Sequence, residues 1–359
     1  MSVFRSAVSR SLPVVRRHFA PAPFVAARGY VKPTQPLLDD DPKTRASYDE
    51  LRVEVDPKFA TVDESLKFEH PKTFPKEDLG HDVQGPGHGR HKKRTLASLS
   101  MDGKVCAVTG GARGLGNMMA RTFVESGADA IVIIDLKKED AEHAAKELVD
   151  WFVEHGEASP GEIKAIGLGC DVSDEASVKK TFAIIKEEFG RLDAMITAAG
   201  IVENFVAHEY PSSKVKKLLD INVMGTWYCA LEAANLMPEG GAITMIGSMS
   251  GQVVNVPQPQ TPYNFSKAAV RHMARSLAVE WAKQGIRVNC ISPGYTLTNL
   301  TKVILDANPV LRDEWVHRTP VGRLADPSDL KGAVIYFSSD SSKFTTGAEL
   351  VIDGGYTCI

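Results

Sequence analysis

The chain of 359 residues has a formal net charge of −3, with 43% hydrophobic and 24% charged residues. This composition predicts an ordinary globular core, and the charge gives no overall attraction to nucleic acid or to an anionic membrane. No apolar run approaches the roughly 18 residues that a transmembrane helix needs. The five cysteines form no C-x-x-C pair and the ten histidines show no zinc-like spacing, so we expect buried free thiols and no metal site.

Residues 1–30 predict a mitochondrial presequence. The segment is rich in arginine and serine and contains no acidic residue. Four of its apolar side chains, from Phe4 to Leu12, share one face of a helical wheel, as in amphipathic import signals. We expect cleavage near Tyr30 and residence in the mitochondrial matrix. A disordered basic tail is the alternative interpretation.

Residues 31–97 are polar, with little periodicity. They include the basic run HGRHKKR at 88–94, which is typical of a solvated linker. We expect this segment to be disordered or to form an arm that packs on a neighbouring subunit.

From residue 98 to residue 359 the sequence alternates between strand-like and helix-like segments. Short β-branched runs such as VCAVTG and AIVIIDL are separated by amphipathic stretches of helix length. This alternation predicts an α/β fold with a Rossmann-like, doubly wound parallel sheet in a single domain, covered by helices on both faces.

A glycine-rich loop, TGGARGLG at 109–116, follows the first predicted strand and opens the first helix of that domain. The glycines permit a tight turn and let a pyrophosphate approach the helix N-terminus, where free N–H groups and the dipole favour anions. The spacing departs from the common G-x-G-x-x-G, but the strand–turn–helix context is the one that a dinucleotide site requires. The residues expected to contact the dinucleotide are Gly110, Arg113, Gly114, Leu115 and Gly116.

Asp135 closes the second predicted strand. An acid at this position accepts hydrogen bonds from the adenosine ribose and repels a 2′-phosphate, so it favours NAD over NADP. Arg113 and Lys137 act mildly in the opposite direction.

Tyr263 and Lys267 stand four residues apart and share a face if 263–283 is a helix. The lysine ammonium would then favour the phenolate, and a tyrosine with a lowered pKa exchanges protons near neutral pH. Ser248 ends another predicted strand, where parallel sheets bind ligands, and its hydroxyl can hydrogen-bond a reacting carbonyl oxygen.

These motifs together resemble the short-chain dehydrogenase/reductase family over residues 101–359. The resemblance implies that Tyr263 is the catalytic acid and base and that Ser248 positions the substrate. Lys267 would also hold the nicotinamide ribose together with Tyr263, and Asn222 would support a water in the proton relay. The other cofactor contacts that the resemblance implies are Asp171 and Val172 beside the adenine, Ala198 in the sequence TAAG, Pro293, Gly294, and Thr296 at the nicotinamide amide.

Two features depart from the usual family pattern. Thr197 stands where asparagine is common, which removes a contact expected to stabilise the sheet. The segment between Ser248 and Tyr263 is about two residues longer than usual, and its proline–glutamine pairs are similar to those of fungal polyol dehydrogenases acting on mannitol, arabinitol or sorbose-type substrates. We predict a stiff loop whose valines pack inward and whose amides contact the substrate: Asn255, Gln258 and Gln260.

The leading hypothesis is therefore an NAD-dependent enzyme that interconverts a polyol and a ketose. One alternative is a mitochondrial 3-oxoacyl-carrier-protein reductase, and another is a nucleotide-sensing scaffold without catalysis. By the resemblance we expect a homo-oligomer, with a tetramer favoured.

Overall fold

The structure, a computed structural model, describes residues 94–359, except for the side chains of 94, 299, 300, 303 and 304. The predicted presequence and nearly all of the predicted linker lie outside these residues. The last four linker residues, Arg94–Ala97, form a short helix, α1.

Seven parallel strands form one sheet in the order β3-β2-β1-β4-β5-β6-β7. This architecture confirms the predicted Rossmann-like fold. The order reverses between β1 and β4, and the crevice at such a reversal is where open α/β sheets bind ligands. The strands are β1 Val105–Thr109, β2 Ala130–Asp135, β3 Lys164–Gly169, β4 Ala194–Thr197, β5 Ala242–Ile246, β6 Arg287–Pro293 and β7 Glu349–Ile352.

Helices cover both faces of the sheet, and a short π-helical segment, Asp220–Met224, separates the helix Ser212–Leu219 from the helix Gly225–Leu236. Within the part of the chain that the structure describes, no helix combines the length and the apolar character needed to cross a membrane. The helices after α1 are α2 Gly114–Glu125, α3 Lys138–Glu154, α4 Glu175–Phe189, α5 Ser212–Leu219, α6 Gly225–Leu236, α7 Thr261–Trp281, α8 Asn299–Ala307, α9 Pro309–His317 and α10 Lys331–Ser338.

Alternate residues of each central strand enter two separate hydrophobic cores. In β2, Val132 and Ile134 belong to the core on one face, whereas Ile131 and Ile133 belong to the core on the other. Successive side chains of a strand point to opposite faces, so a strand covered on both sides must be apolar throughout. The two cores fix the strands, and with them the loops at the carboxyl ends that carry the site.

Candidate active site

The glycine loop lies tightly between β1 and the segment after β4. Gly110 has φ +66°, and a Cβ there would stand 2.9 Å from the Ala199 Cα. A Cβ on Gly116 would overlap the carbonyl oxygen of Gly110. Neither position has room for a side chain, so both glycines are required by the close approach of backbone to backbone.

The N-terminus of α2 is open toward solvent. Arg113, the residue before the helix, is exposed and makes no side-chain capping bond. A Cβ on Gly114 would meet nothing within 4 Å, although its φ of +60° favours glycine. Uncapped N–H groups beside open space fit the pyrophosphate of a dinucleotide. Leu115, half-buried, follows them.

Asp135 connects this loop to the end of β2. Its carboxylate accepts hydrogen bonds from the Ala112 N–H at 3.1 Å and from the Leu136 N–H at 2.8 Å. The half-buried carboxylate is thus fixed beside the loop. A 2′-phosphate at this point would meet a held negative charge.

The predicted adenine contacts lie next to Asp135. The Cys170 N–H donates to the main-chain carbonyl of Asp135 at 2.7 Å, which brings the end of β3 beside the end of β2. Asp171 is exposed and accepts two hydrogen bonds from Ser173, whereas Val172 is buried. A buried apolar side chain and an exposed carboxylate therefore lie next to Asp135, a combination that is suited to an adenine.

The remaining predicted cofactor residues follow β4 and β6. Ala198 comes directly after β4 and faces the glycine loop, since a Cβ on Gly110 would lie 3.1 Å from its carbonyl carbon. Gly294 follows Pro293, and a Cβ there would lie 2.6 Å from the Cα of Asp353. Thr296 is buried, and its hydroxyl donates to the Gly294 carbonyl at 3.2 Å.

Tyr263 lies in the first turn of α7, which begins at Thr261 with a proline at its N-terminus. The residue is half-buried, yet its hydroxyl is desolvated. Burial raises the pKa of Tyr263, and a hydrogen bond with Ser248 opposes this rise. The expectation of a lowered pKa is therefore wrong for these protein residues alone, because desolvation of the phenolate outweighs the stabilisation from its neighbours.

Lys267 is buried one turn further along α7. Its Nζ lies 5.7 Å from the centroid of the Tyr263 ring and donates to the Ile246 carbonyl oxygen at 2.9 Å. Burial lowers the pKa of Lys267 to about 8. The ammonium is thus available near neutral pH as a charge beside the tyrosine, but it loses its proton more readily than an exposed lysine.

Asn222 occupies the π-helical segment and is almost fully buried. Its Oδ1 accepts from the Ile201 N–H at 2.8 Å, and its Nδ2 donates to the Ile201 carbonyl at 2.9 Å and to Ser266 Oγ at 3.2 Å. A Cβ on Gly200 would stand 3.2 Å from Asn222 Oδ1 and 3.6 Å from Lys267 Nζ. Asn222 and Lys267 therefore converge on one glycine, and π segments of this kind often occur at functional sites.

Thr197 does not link the strands through its side chain. Its buried Oγ1 has no hydrogen-bond partner among residues 94–359. The neighbouring strand supplies a different link, because the Ala199 N–H donates to Thr109 Oγ1 at 3.3 Å.

In the loop from 249 to 260, two valines are exposed and two amides are buried, which differs from the packing that we expected. The valines were predicted to pack inward, but Val254 is 74% exposed and Val256 45% exposed, whereas Asn255 is only 3% exposed. The prediction that these valines pack inward is therefore wrong. Amides of the loop are buried instead, because they find inside the protein the hydrogen-bond partners that a buried amide needs. Asn255 Nδ2 donates to the Tyr295 hydroxyl at 3.1 Å, and Gln260 is buried as well.

Sequence analysis did not indicate the aromatic group that holds this loop. Tyr295 stacks on Trp315 of α9 with ring centroids 4.0 Å apart and planes 4° apart. In the amide orientation that satisfies its neighbours, Gln258 Oε1 accepts from the Tyr295 hydroxyl at 3.1 Å and from Trp315 Nε1 at 3.2 Å. Tyr295 directly follows Pro293-Gly294, and that position was the one available signal for its importance.

Comparison with known proteins identifies the family. Residues 110–357 match the family model described as Enoyl-(Acyl carrier protein) reductase. A crystal structure of a short-chain type dehydrogenase/reductase from Mycobacterium marinum has a TM-score of 0.67 and 32% identity, and the match covers 74% of this chain and 100% of that one. The chain belongs to the short-chain dehydrogenase/reductase family of NAD(P)-dependent enzymes.

Curated relatives include enzymes named for polyols. The chain is 41% identical over 272 residues to a D-arabinitol 2-dehydrogenase [ribulose-forming] of Candida tropicalis, with 73% of this chain and 95% of the relative covered. It is 40% identical over 268 residues to an NADP-dependent mannitol dehydrogenase of Hypocrea jecorina, with 74% and 96% covered.

Proposed function

We propose that this enzyme interconverts a polyol and a ketose with NAD, and that D-arabinitol oxidised at C2 is the first substrate to test. The observation that carries the proposal is that Ser248, Tyr263 and Lys267 lie together. The loop between Ser248 and Tyr263 contributes the buried amides of Asn255 and Gln260. The names of the relatives support the substrate class. A polyol presents several hydroxyls, and each one that is buried needs a hydrogen-bond partner.

The chemistry assigned to these residues is a proton transfer coupled to a hydride transfer. During oxidation Tyr263 Oη takes the hydroxyl proton of the substrate, while Ser248 Oγ donates a hydrogen bond to the same oxygen. The Lys267 ammonium favours the tyrosine phenolate that this step requires. A bound nicotinamide would supply the acceptor for the hydride that leaves the substrate carbon.

NAD is the proposed cofactor because Asp135 holds a negative charge beside the glycine loop. The family alone does not choose the cofactor, since one relative is named as NADP-dependent. The carboxylate fixed by Ala112 and Leu136 is the local feature that favours NAD.

The test is a screen of purified protein against a panel of polyols and ketoses with both cofactors. We expect turnover of a pentitol or hexitol and its ketose, faster with NAD than with NADP. Turnover of a 3-oxoacyl thioester with NADPH and none of any polyol would support the acyl-carrier-protein reductase instead. Nucleotide binding without any turnover would support the silent scaffold.

We also propose that the protein resides in the mitochondrial matrix and assembles as a homo-oligomer. The arginine-rich, acid-free composition of residues 1–30 supports the first proposal, and the family resemblance supports the second. N-terminal sequencing of the mitochondrial protein should find a start near Val31, and sedimentation should find a tetramer. A matrix protein that retains Met1 would contradict the predicted cleavage.

A further inference from the structure

The Ser250 hydroxyl lies directly beside that of Ser248. Ser248 Oγ donates a hydrogen bond to Ser250 Oγ at 3.0 Å, and Ser250 is buried. A serine hydroxyl has one proton and two acceptor lone pairs. Among residues 94–359 no acceptor receives the Ser250 proton, because Ser250 Oγ takes part in its hydrogen bonds only as an acceptor. Ser250 therefore has a proton to donate, next to the serine to which we assign the reacting oxygen.

The amide of Gln260 stands beside Ser250 in one fixed orientation. Its Nε2 lies 3.3 Å from Ser250 Oγ. The two protons of this nitrogen face nearer acceptors, Asn255 Oδ1 at 3.1 Å and Asn264 Oδ1 at 3.0 Å. The reversed amide would place an oxygen against two other carbonyl oxygens, which only accept hydrogen bonds. The position of the Gln260 oxygen is thereby settled as well.

Gln260 Oε1 accepts no hydrogen bond from the residues that the structure describes. Gln260 directly precedes α7, but its side chain does not cap the helix. The oxygen is not sealed in the interior either, although the residue is only 7% exposed. Within 94–359 the sealed side-chain atoms that have no partner belong to Thr197, Thr244 and Ser338. Gln260 Oε1 therefore reaches open space as an acceptor without a donor.

The other two amides of the loop use their oxygens inside the protein. Asn255 Oδ1 accepts from Gln260, and Gln258 Oε1 accepts from Tyr295 and Trp315 in the orientation that satisfies its neighbours. A nearly buried acceptor without a donor costs free energy, and a ligand that donates to it recovers that cost. Gln260 is thus the loop amide whose oxygen is available to a ligand.

Ser250 and Gln260 together offer one donor and one acceptor. A hydroxyl group both accepts and donates a hydrogen bond, so a single hydroxyl can satisfy both side chains. The oxygen and nitrogen of Gln260 belong to one planar amide, which keeps the oxygen close to Ser250. Because Ser248 Oγ and Ser250 Oγ are only 3.0 Å apart, two hydroxyls on adjacent carbons can reach both serines at once.

We propose that Ser250 and Gln260 form a subsite for the hydroxyl on the carbon next to the reacting carbon. Ser250 Oγ donates to that hydroxyl and Gln260 Oε1 accepts its proton. The substrate class is therefore a vicinal diol in oxidation and an α-hydroxyketone in reduction. The inference rests on the proposed function, in which Ser248 holds the reacting oxygen.

The test compares ketoses that differ by one hydroxyl. The probe is D-ribulose, or the ketose with the highest kcat/KM in the screen, together with its 1-deoxy and 3-deoxy analogues. For the wild type we expect kcat/KM to fall about tenfold or more with at least one analogue, because the missing hydroxyl leaves a donor and an acceptor unpaired. The ratio of kcat/KM for the ketose to that for this analogue is the quantity to follow.

Three variants measure how this ratio depends on the subsite. Ser250→Ala removes the donor and Gln260→Met removes the acceptor, so in both the ratio should fall toward one. Gln260→Glu keeps an acceptor oxygen and should retain more of the ratio than Gln260→Met. Gln252→Met makes the same change at an exposed position of the segment and should keep the wild-type ratio. A purely structural role would lower kcat/KM for both ketoses and leave the ratio unchanged.

A ratio that is high in the wild type and lost in both Ser250→Ala and Gln260→Met supports the subsite. Equal kcat/KM for the ketose and both analogues in the wild type, or an unchanged ratio in either variant, would overturn it while the proposed function stands. If Gln260→Met does not fold, Ser250→Ala, which removes a single hydroxyl, decides the result. No turnover of any ketose would instead refute the proposed function itself.

Discussion

The Lys267 ammonium donates a hydrogen bond to the Ile246 carbonyl oxygen at 2.9 Å. Ile246 is the last residue of β5, and Ser248 follows it by two positions. One contact therefore ties the lysine of α7 to the strand that presents the serine. It also holds a charge in a desolvated place, where burial lowers the pKa of Lys267 to about 8.

Because Lys267 is buried, the free energy of unfolding should depend on pH in the alkaline range. The unfolded chain keeps this proton up to a pKa of about 10.4, whereas the folded protein keeps it only up to about 8. Between these pH values the unfolded state binds more protons, so the free energy of unfolding rises with pH, by at most about 1.4 kcal/mol per unit. Urea unfolding of Lys267→Met from pH 8 to 10 should show a smaller rise than the wild type.

The exposed Lys283, which lies just after α7, provides the control. Lys283→Met should keep the wild-type slope. Identical slopes in the wild type and Lys267→Met would contradict the shifted pKa.

Catalysis should require the phenol of Tyr263. Tyr263→Phe keeps the ring and the helix but removes the group that exchanges the proton. We expect kcat to fall by about 10²–10⁴, the usual scale for general acid–base catalysis, while NAD affinity changes little. Steady-state kinetics and NAD titration measure both quantities. Retention of more than a tenth of the activity would refute the mechanism.

Asp135 should set the cofactor preference. The wild type is expected to have kcat/KM for NAD at least about tenfold above that for NADP, a difference of about 1.4 kcal/mol. Asp135→Ala should narrow the ratio by removing the charge, and it should also raise KM for NAD because Ala112 and Leu136 lose their acceptor. Asp135→Asn keeps an acceptor and separates these two effects. Equal use of both cofactors by the wild type would contradict the proposed preference for NAD.

The loop amides should determine the affinity for the polyol. Asn255→Ala, Gln258→Ala and Gln260→Ala are each tested alone, and at least one should raise KM for the polyol several-fold, near the roughly 1–3 kcal/mol cost of an unsatisfied buried group. NAD binding should stay unchanged. Val254→Ala, at an exposed position in the same loop, is the control. If KM is unaffected in all three variants, the loop does not contact the substrate.

Tyr295 should affect KM for the polyol indirectly, through the loop amides that it binds. Tyr295→Phe retains the stack on Trp315 but removes the hydroxyl that binds Asn255 and Gln258. We expect a higher KM for the polyol and a lower Tm, because the buried Asn255 amide loses its hydrogen-bond acceptor. Burial raises the pKa of Tyr295 to about 12, so this contribution should not change with pH across the neutral range. If the KM of Tyr295→Phe differed from that of the wild type only above neutral pH, this result would argue against a neutral Tyr295 hydroxyl.

The strand–helix order and the positions of the main chemical groups can be predicted from the sequence alone. Apolar runs of strand length alternate with amphipathic segments, and this local periodicity defines the element types. The glycine loop and Asp135 follow β1 and β2 at short spacing, so their proximity follows from the βαβ connection. Tyr263 and Lys267 share a helix face for the same local reason.

The contacts that hold the loop before Tyr263 depend on tertiary packing. Asn255 binds a tyrosine 40 residues away in the sequence, and that tyrosine stacks on Trp315. The valines were expected to pack inward because they are apolar. A buried polar group, however, lies where its hydrogen-bond partners are, and those partners are distant in sequence. Two further features likewise arise from packing between elements: the hydrogen bond from Lys267 to the Ile246 carbonyl, and the desolvation that raises the pKa of Tyr263. Periodicity along the chain does not predict such packing.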